Sequence, residues 1–260
     1  MTLVDLIQEA GVAIVTLADA PRRNALSTAL LQELAARLGD VAASDAGAVV
    51  LTGAGGTFSA GADLRELTGT AADVRIDDAV SAVSAAIAAC PLPVVAAVEG
   101  PCVGAAVDLA LACDVRIVAR DGFFAVPAVA LGILYNPAAL ERMARTVPTQ
   151  TLARLLLFGE RIGGQDAVTA GLAAQAVEAG AALEAAVALA GGAVRGVPDA
   201  RAATKRALCA LAAEGLAADH WSTVRRALLD GPERTVAVQA ARRRLAIDQD
   251  DRPEAAHAHH

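Results

Sequence analysis

Aromatic side chains are almost missing from this chain: one Trp, one Tyr and four Phe make up 2% of its residues. Stacking platforms for single-stranded nucleic acid are therefore excluded. An excess of positive charge is also lacking. The formal net charge is −7, so no basic face for a phosphate backbone is expected. The four cysteines (Cys90, Cys102, Cys113, Cys209) form no CxxC pair, and three lie in apolar runs. This argues against a disulfide framework and predicts buried free thiols in a reducing compartment. Of the four histidines, three sit in the last residues, and His220 has no second ligand at metal spacing, so no metal is expected. No apolar run is long enough to span a bilayer; the richest, residues 93–113, is broken by Glu99-Gly100-Pro101. The first residues carry acids rather than a basic stretch, unlike a signal peptide. These absences together predict a cytoplasmic protein that engages neither nucleic acid nor membrane.

What is present is apolar bulk. With 55% hydrophobic residues in a chain of 260, one domain can bury a large core and still carry an appendage. Residues 3–8 and 12–17 read as a hairpin turning near Gly11. Ser27 is placed to cap a helix bearing Leu30, Leu31, Leu34 and Leu38 at helical spacing. Apolar runs at 48–51, 94–98 and 115–119 read as buried strands, with a last one at 172–177. Helices are expected over 73–89, 103–113, 137–145 and 149–158, and again in the turn-to-helix segment that Gly171 ends. From Ala181 onward the pattern is helical: 181–191, 198–213, 217–230 and 232–246. Strand–helix alternation followed by helices alone predicts an α/β core over 1–195 and a helical region over 196–260, with a polar, disordered tail from Asp248.

Two stretches carry chemistry. After the strand at 48–51, residues 52–64 read Thr-Gly-Ala-Gly-Gly-Thr-Phe-Ser-Ala-Gly-Ala-Asp-Leu. So many glycines permit tight turns or the close approach of a ligand, but the spacing is neither a P-loop nor a dinucleotide fingerprint. The second stretch places Asp108 in an otherwise apolar helix that starts at the small residues Gly104-Ala105-Ala106. A buried carboxylate there is paired, neutral, or facing a cavity. Arg65 and Arg116 are available partners. A helix start offers free N–H groups and partial positive charge, which suits an enolate oxyanion. Glu99, at a strand end, reads as solvent-facing.

In this order the landmarks resemble the crotonase, or enoyl-CoA hydratase/isomerase, superfamily. Arg22-Arg23-Asn24-Ala25-Leu26 resembles its loop for the CoA adenine and ribose. Residues 51–64 resemble the loop that gives the first oxyanion donor. Residues 97–114 resemble the segment that gives the second donor and the first catalytic acid, and residues 159–171 its helical connector. The resemblance implies an α/β fold, a ββα spiral (the ClpP/crotonase fold) with a C-terminal helical region. It implies an acyl-CoA thioester as ligand, no resident cofactor, and a homotrimer or homohexamer. Carried over by position, the oxyanion donors are the amides of Ala60 and Ala105, and Asp108 is the acid/base. Arg22, Arg23, Ala25, Leu26, Gly61, Ala62, Asp63, Leu64, Gly104, Tyr135 and Lys205 are the substrate contacts. Singly, Lys205 and Arg206 read as solvated surface charges. The family's second Glu falls on Ala128, which cannot transfer a proton. Two functions therefore stand open: an acyl-CoA hydratase or isomerase working with Asp108 alone, and an acyl-CoA-binding or carrier protein that has lost turnover.

Overall fold

The computed structural model describes residues 2–213 and 215–250, in a unit that ends at Gly196 and a unit that begins at Val197. In the first unit the expected hairpin forms from β1 (Val4–Glu9) and β2 (Val12–Leu17). Ser27 accepts a hydrogen bond from the Leu30 amide and so caps α1 (Thr28–Ala42), whose Leu30, Leu31, Leu34 and Leu38 are all buried. Each such leucine contributes ~1.5–3 kcal/mol. Then follow β3 (Ala48–Gly53), α2 (Val74–Ala89), β4 (Val94–Val98) and β5 (Pro101–Val103). Next come α3 (Ala105–Ala112), β6 (Val115–Ala119), β7 (Phe123–Ala125), α4 (Pro137–Thr146) and α5 (Thr149–Leu156). The unit closes with β8 (Ile162–Gly163), α6 (Gly164–Thr169), β9 (Gln175–Val177) and α7 (Ala182–Val194).

The main sheet runs β1-β2-β3-β4-β6-β9, parallel from β2 onward. A parallel sheet buried on both faces needs apolar residues at successive positions, which is why its strands read as unbroken runs. Val49 and Leu51 of β3 join the larger core with α1, α2 and α3. Ala48 and Val50 point to the other face, against Ala182, Ala186 and Ala190 of α7. Those three alanines lie at i, i+4, i+8, a stripe with no bulk to hold the helix off the sheet. Glu99, expected to face solvent, is half-buried: its carboxylate accepts from the amides of Gly180 and Ala182 at the start of α7.

A second sheet, β5-β7-β8, has no counterpart in the sequence reading. Its strands hold two or three residues each, too few to show a period. It nevertheless sets the geometry of the site. The Val103 amide donates to the Ser59 carbonyl, Ser59 donates to the Pro101 carbonyl, and Gly104 donates to that of Ala125. One short strand thus ties the glycine-rich loop to the start of α3. Because β5 takes Pro101–Val103, that helix begins at Ala105 rather than at Val103.

The second unit consists of α8 (Pro198–Ala213), α9 (Ala218–Asp230) and α10 (Pro232–Asp250). Residues 248–250, expected to open a disordered tail, belong to α10; the rest of that expected tail, residues 251–260, lies outside those described. No helix among the described residues is long and apolar enough to cross a membrane.

Candidate active site

Gly104 is the N-cap of α3, with φ 57° and ψ −124°. Only glycine adopts that conformation without strain, and it turns the chain so that α3 starts with the Ala105 amide. This amide has no acceptor among the described residues. Gly61 packs directly against the turn. A Cβ on Gly61 would lie 2.4 Å from the Val103 carbonyl oxygen and 3.4 Å from the Ala105 nitrogen, and its φ of +87° is itself a glycine conformation.

The donor expected opposite Ala105 requires correction. The Ala60 amide donates to the Arg23 carbonyl at 2.9 Å and is not free. Gly61 donates to the Ser59 hydroxyl at 3.1 Å. The amide left without an acceptor is that of Ala62. Leu26 pairs with Ala62 as an isolated parallel bridge, in which Leu26 donates to Gly61 and Asp63 donates to Leu26. The Ala62 N–H therefore points away from the Leu26 segment. Positive φ at Gly61 is the cause: it interrupts the alternation that would otherwise aim residues 60 and 62 alike.

Asn24 holds this loop in register. It is fully buried at φ +54°, a conformation that asparagine tolerates. Its side-chain amide donates to the carbonyls of Ala54, Thr57 and Phe58, and its side-chain oxygen accepts from Asp19. Its own carbonyl accepts from the Ser59 hydroxyl at 2.7 Å. The expected CoA loop is thereby laced to the glycine-rich loop, with Leu26 buried and Arg22 half-exposed beside Asp19.

Asp108 is 1% exposed and paired, but with neither expected arginine. Arg142 of α4 grips it with Nη2 to Oδ2 at 2.7 Å and Nε to Oδ1 at 3.3 Å, and gives a further bond of 3.1 Å to Ser81 Oγ on α2. Arg116 instead donates to the carbonyls of Leu172 and Cys113, and Arg65 pairs with Asp63. Asp63 is buried, and its hydrogen bonds from Arg65 hold its pKa below the ordinary carboxylate value. Arg142 was legible in one respect. On α4 it lies next to buried Met143 and three residues after buried Ala139, at the edge of the inward stripe.

Tyr135 donates its hydroxyl to the Gly104 carbonyl at 3.0 Å. Burial pushes the phenol well above its ordinary pKa, the charges of Asp108 and Asp77 add to this, and Arg142 opposes it. It is a neutral donor bracing the start of α3, not a base. Ala128 is buried. The segment between Ala128 and Tyr135 exposes Val129, Leu131, Ile133 and Leu134, the last at 83%, and Leu64 is exposed as well. Lys205 belongs to the second unit. It is buried rather than surface-solvated, while Arg206 is exposed.

A doubly covered parallel sheet with a second small sheet, one amide without an acceptor in the glycine-rich loop and another at the start of α3, are the features of a crotonase-type α/β protein. The family model for enoyl-CoA hydratase/isomerase matches residues 7–232. The chain belongs to the enoyl-CoA hydratase/isomerase family. It is 35% identical over 199 residues to the 2,3-dehydroadipyl-CoA hydratase of Escherichia coli, covering 76% of this chain and 78% of that one. It is 34% identical over 171 residues to the probable enoyl-CoA hydratase echA6 of Mycobacterium tuberculosis, covering 66% and 69%. Among solved structures, an enoyl-CoA hydratase/carnithine racemase from Magnetospirillum magneticum superposes with a TM-score of 0.88 at 28% identity, over 94% of each chain.

Proposed function

We propose that this protein binds an acyl-CoA thioester and stabilises the enolate form of its acyl group with the amides of Ala62 and Ala105. The observation that carries this is a pair of backbone amides, at Ala62 and Ala105, without acceptors among the described residues and on two segments that pack together at Gly61. Such donors are worth ~3–4 kcal/mol each when aimed at developing negative charge. The reaction class is hydration or double-bond isomerisation of an enoyl thioester, without a resident cofactor. Arg22 and Arg23, with the Ala25–Leu26 segment, receive the nucleotide end. Leu64 and the exposed apolar run from Val129 to Leu134 receive the acyl chain. Three or six copies of the chain assemble.

A second reading is favoured by the Arg142–Asp108 pair and by Ala128. A carboxylate facing a guanidinium does not face a substrate, and the second acid is absent. On this reading the site holds acyl-CoA without turning it over. The two are separated by mixing the protein with a short and a long enoyl-CoA. Loss of the conjugated-thioester absorbance supports the enzyme; tight binding by calorimetry with no absorbance change supports the carrier.

A further inference from the structure

We propose that Tyr135 is a positioning residue for the oxyanion site: its hydroxyl, bonded to the Gly104 carbonyl, strengthens the donor at the other end of the same peptide, the Ala105 N–H. The inference rests on the acyl-CoA reading above and names the side chain that sets the strength of one of its two donors. The bond runs from the phenol to the carbonyl oxygen and is 3.0 Å long. The Gly104 carbonyl and the Ala105 amide belong to one peptide unit, in which the two groups point in opposite directions. A donor on the oxygen draws electron density from the nitrogen through the amide resonance, so the N–H at the far end becomes more positive.

The Gly104 carbonyl also accepts from the Val107 amide at 3.0 Å, a bond within the first turn of α3. A carbonyl oxygen has two lone pairs, so the Tyr135 bond adds to this one and does not replace it. The other proposed donor is built in the same way. Ala62 shares its peptide with the Gly61 carbonyl, which accepts from the Leu26 amide at 2.8 Å. Each N–H without an acceptor is thus the far end of a peptide whose oxygen is already engaged. At Ala62 the group on that oxygen is backbone; at Ala105 it includes a side chain.

The phenol reaches α3 from a helix that is fastened to it. Tyr135 immediately precedes Asn136, whose side-chain oxygen accepts from the amides of Ala138 and Ala139 and caps α4. Arg142 of α4 in turn grips Asp108 of α3. Burial raises the phenol's pKa well above its ordinary value, so it stays a neutral donor. One hydrogen bond strengthens the next by ~10–30%. A donor aimed at an oxyanion contributes ~100- to 1,000-fold in rate, so that share of it is a ~2- to 8-fold effect on enolate formation.

The test is isotope-edited infrared spectroscopy of a saturated acyl-CoA labelled at its thioester carbon and bound to the full chain, with affinity measured by calorimetry. In the wild-type complex the carbonyl stretch is expected below its value in water. Tyr135→Phe is expected to raise it part of the way back, to slow Cα-proton exchange in D2O ~2- to 8-fold, and to leave affinity within ~2-fold. Because Tyr135 is the only tyrosine in the chain, growth on monofluorotyrosine or difluorotyrosine alters this hydroxyl alone. Each makes the phenol a stronger acid with the bond still in place, and the stretch should fall further in that order. A bond that only braces α3 would leave the stretch unmoved across this series; that result would overturn the assignment and leave the two-donor reading standing. A wild-type complex with the carbonyl stretch of free acyl-CoA would overturn both.

Discussion

Removing Arg142 isolates the buried Asp108. The Arg142→Ala variant leaves a carboxylate that is 1% exposed facing no counter-ion, and it also takes a donor from Ser81. Breaking a buried pair in this way costs ~3–5 kcal/mol, because the remaining charge has been desolvated without compensation. In a unit of this size each kcal/mol lowers Tm by ~2–4 °C, so calorimetry should show a fall of ~6–20 °C. The reverse deletion is milder. Asp108→Asn keeps the shape, and Arg142, whose side chain is 16% exposed, retains Ser81 and a path to water. Its cost should be ~1–3 kcal/mol. Replacing both residues together, Asp108→Leu with Arg142→Met, should recover most of the stability, since apolar substitutes of similar volume often equal or exceed a buried pair. An Arg142→Ala variant within ~1 kcal/mol of wild type would refute the pairing, because the lost compensation alone exceeds that.

Three more outcomes follow from the site. Gly61→Ala puts a methyl group 2.4 Å from the Val103 carbonyl oxygen at φ +87°, so the loop must move off the end of β5. A shift of ~1 Å between the two donors should cut enolate chemistry ~100-fold while circular dichroism stays unchanged; full activity would show that Ala62 is not a donor. Asn24→Ala strips a donor from three carbonyls and forces alanine to positive φ, and should lower the unfolding free energy measured by urea titration by ~2–4 kcal/mol. Asn24→Asp, which sets a carboxylate against the same carbonyls, should be no better, and rescue by it would contradict the donor role. Asp63 titrates lower folded than unfolded because of Arg65. Its stabilisation is therefore present above the unfolded value of ~3.9 and lost as pH falls through the folded one. The Tm gap between wild type and Arg65→Ala should accordingly close as the pH falls below about 4, and a gap that persists in acid would remove the pair as its cause.

The parallel sheet was legible because a strand buried on both faces has to be apolar at every position, as residues 94–98 are. The short second sheet was not, because the two or three residues of β5, β7 and β8 carry no period. Its strands are fixed by hydrogen bonds to loops far away in sequence, such as Val103 to Ser59. The donor residues show the same limit at finer grain. Ala60 and Ala62 are the same residue type flanking one glycine, and only the φ of Gly61 decides which amide is spent on Arg23. Asp108 was marked as anomalous by its apolar setting, but its partner lies 34 residues on, in a helix that meets α3 only once the sheet has folded.

Asp108 and Arg142 bear on the proposed donor through geometry. The guanidinium gives two hydrogen bonds to the Asp108 carboxylate and one to Ser81, so a single side chain of α4 ties α3 to α2. Asp108 lies on the first turn of α3, the turn that starts with the Ala105 amide. Whatever holds the carboxylate therefore also holds the direction of that amide. A residue with this task has to be buried and countered by charge, and Asp108, at 1% exposure against Arg142, is both. The task is one of position, and it needs no acid at position 128.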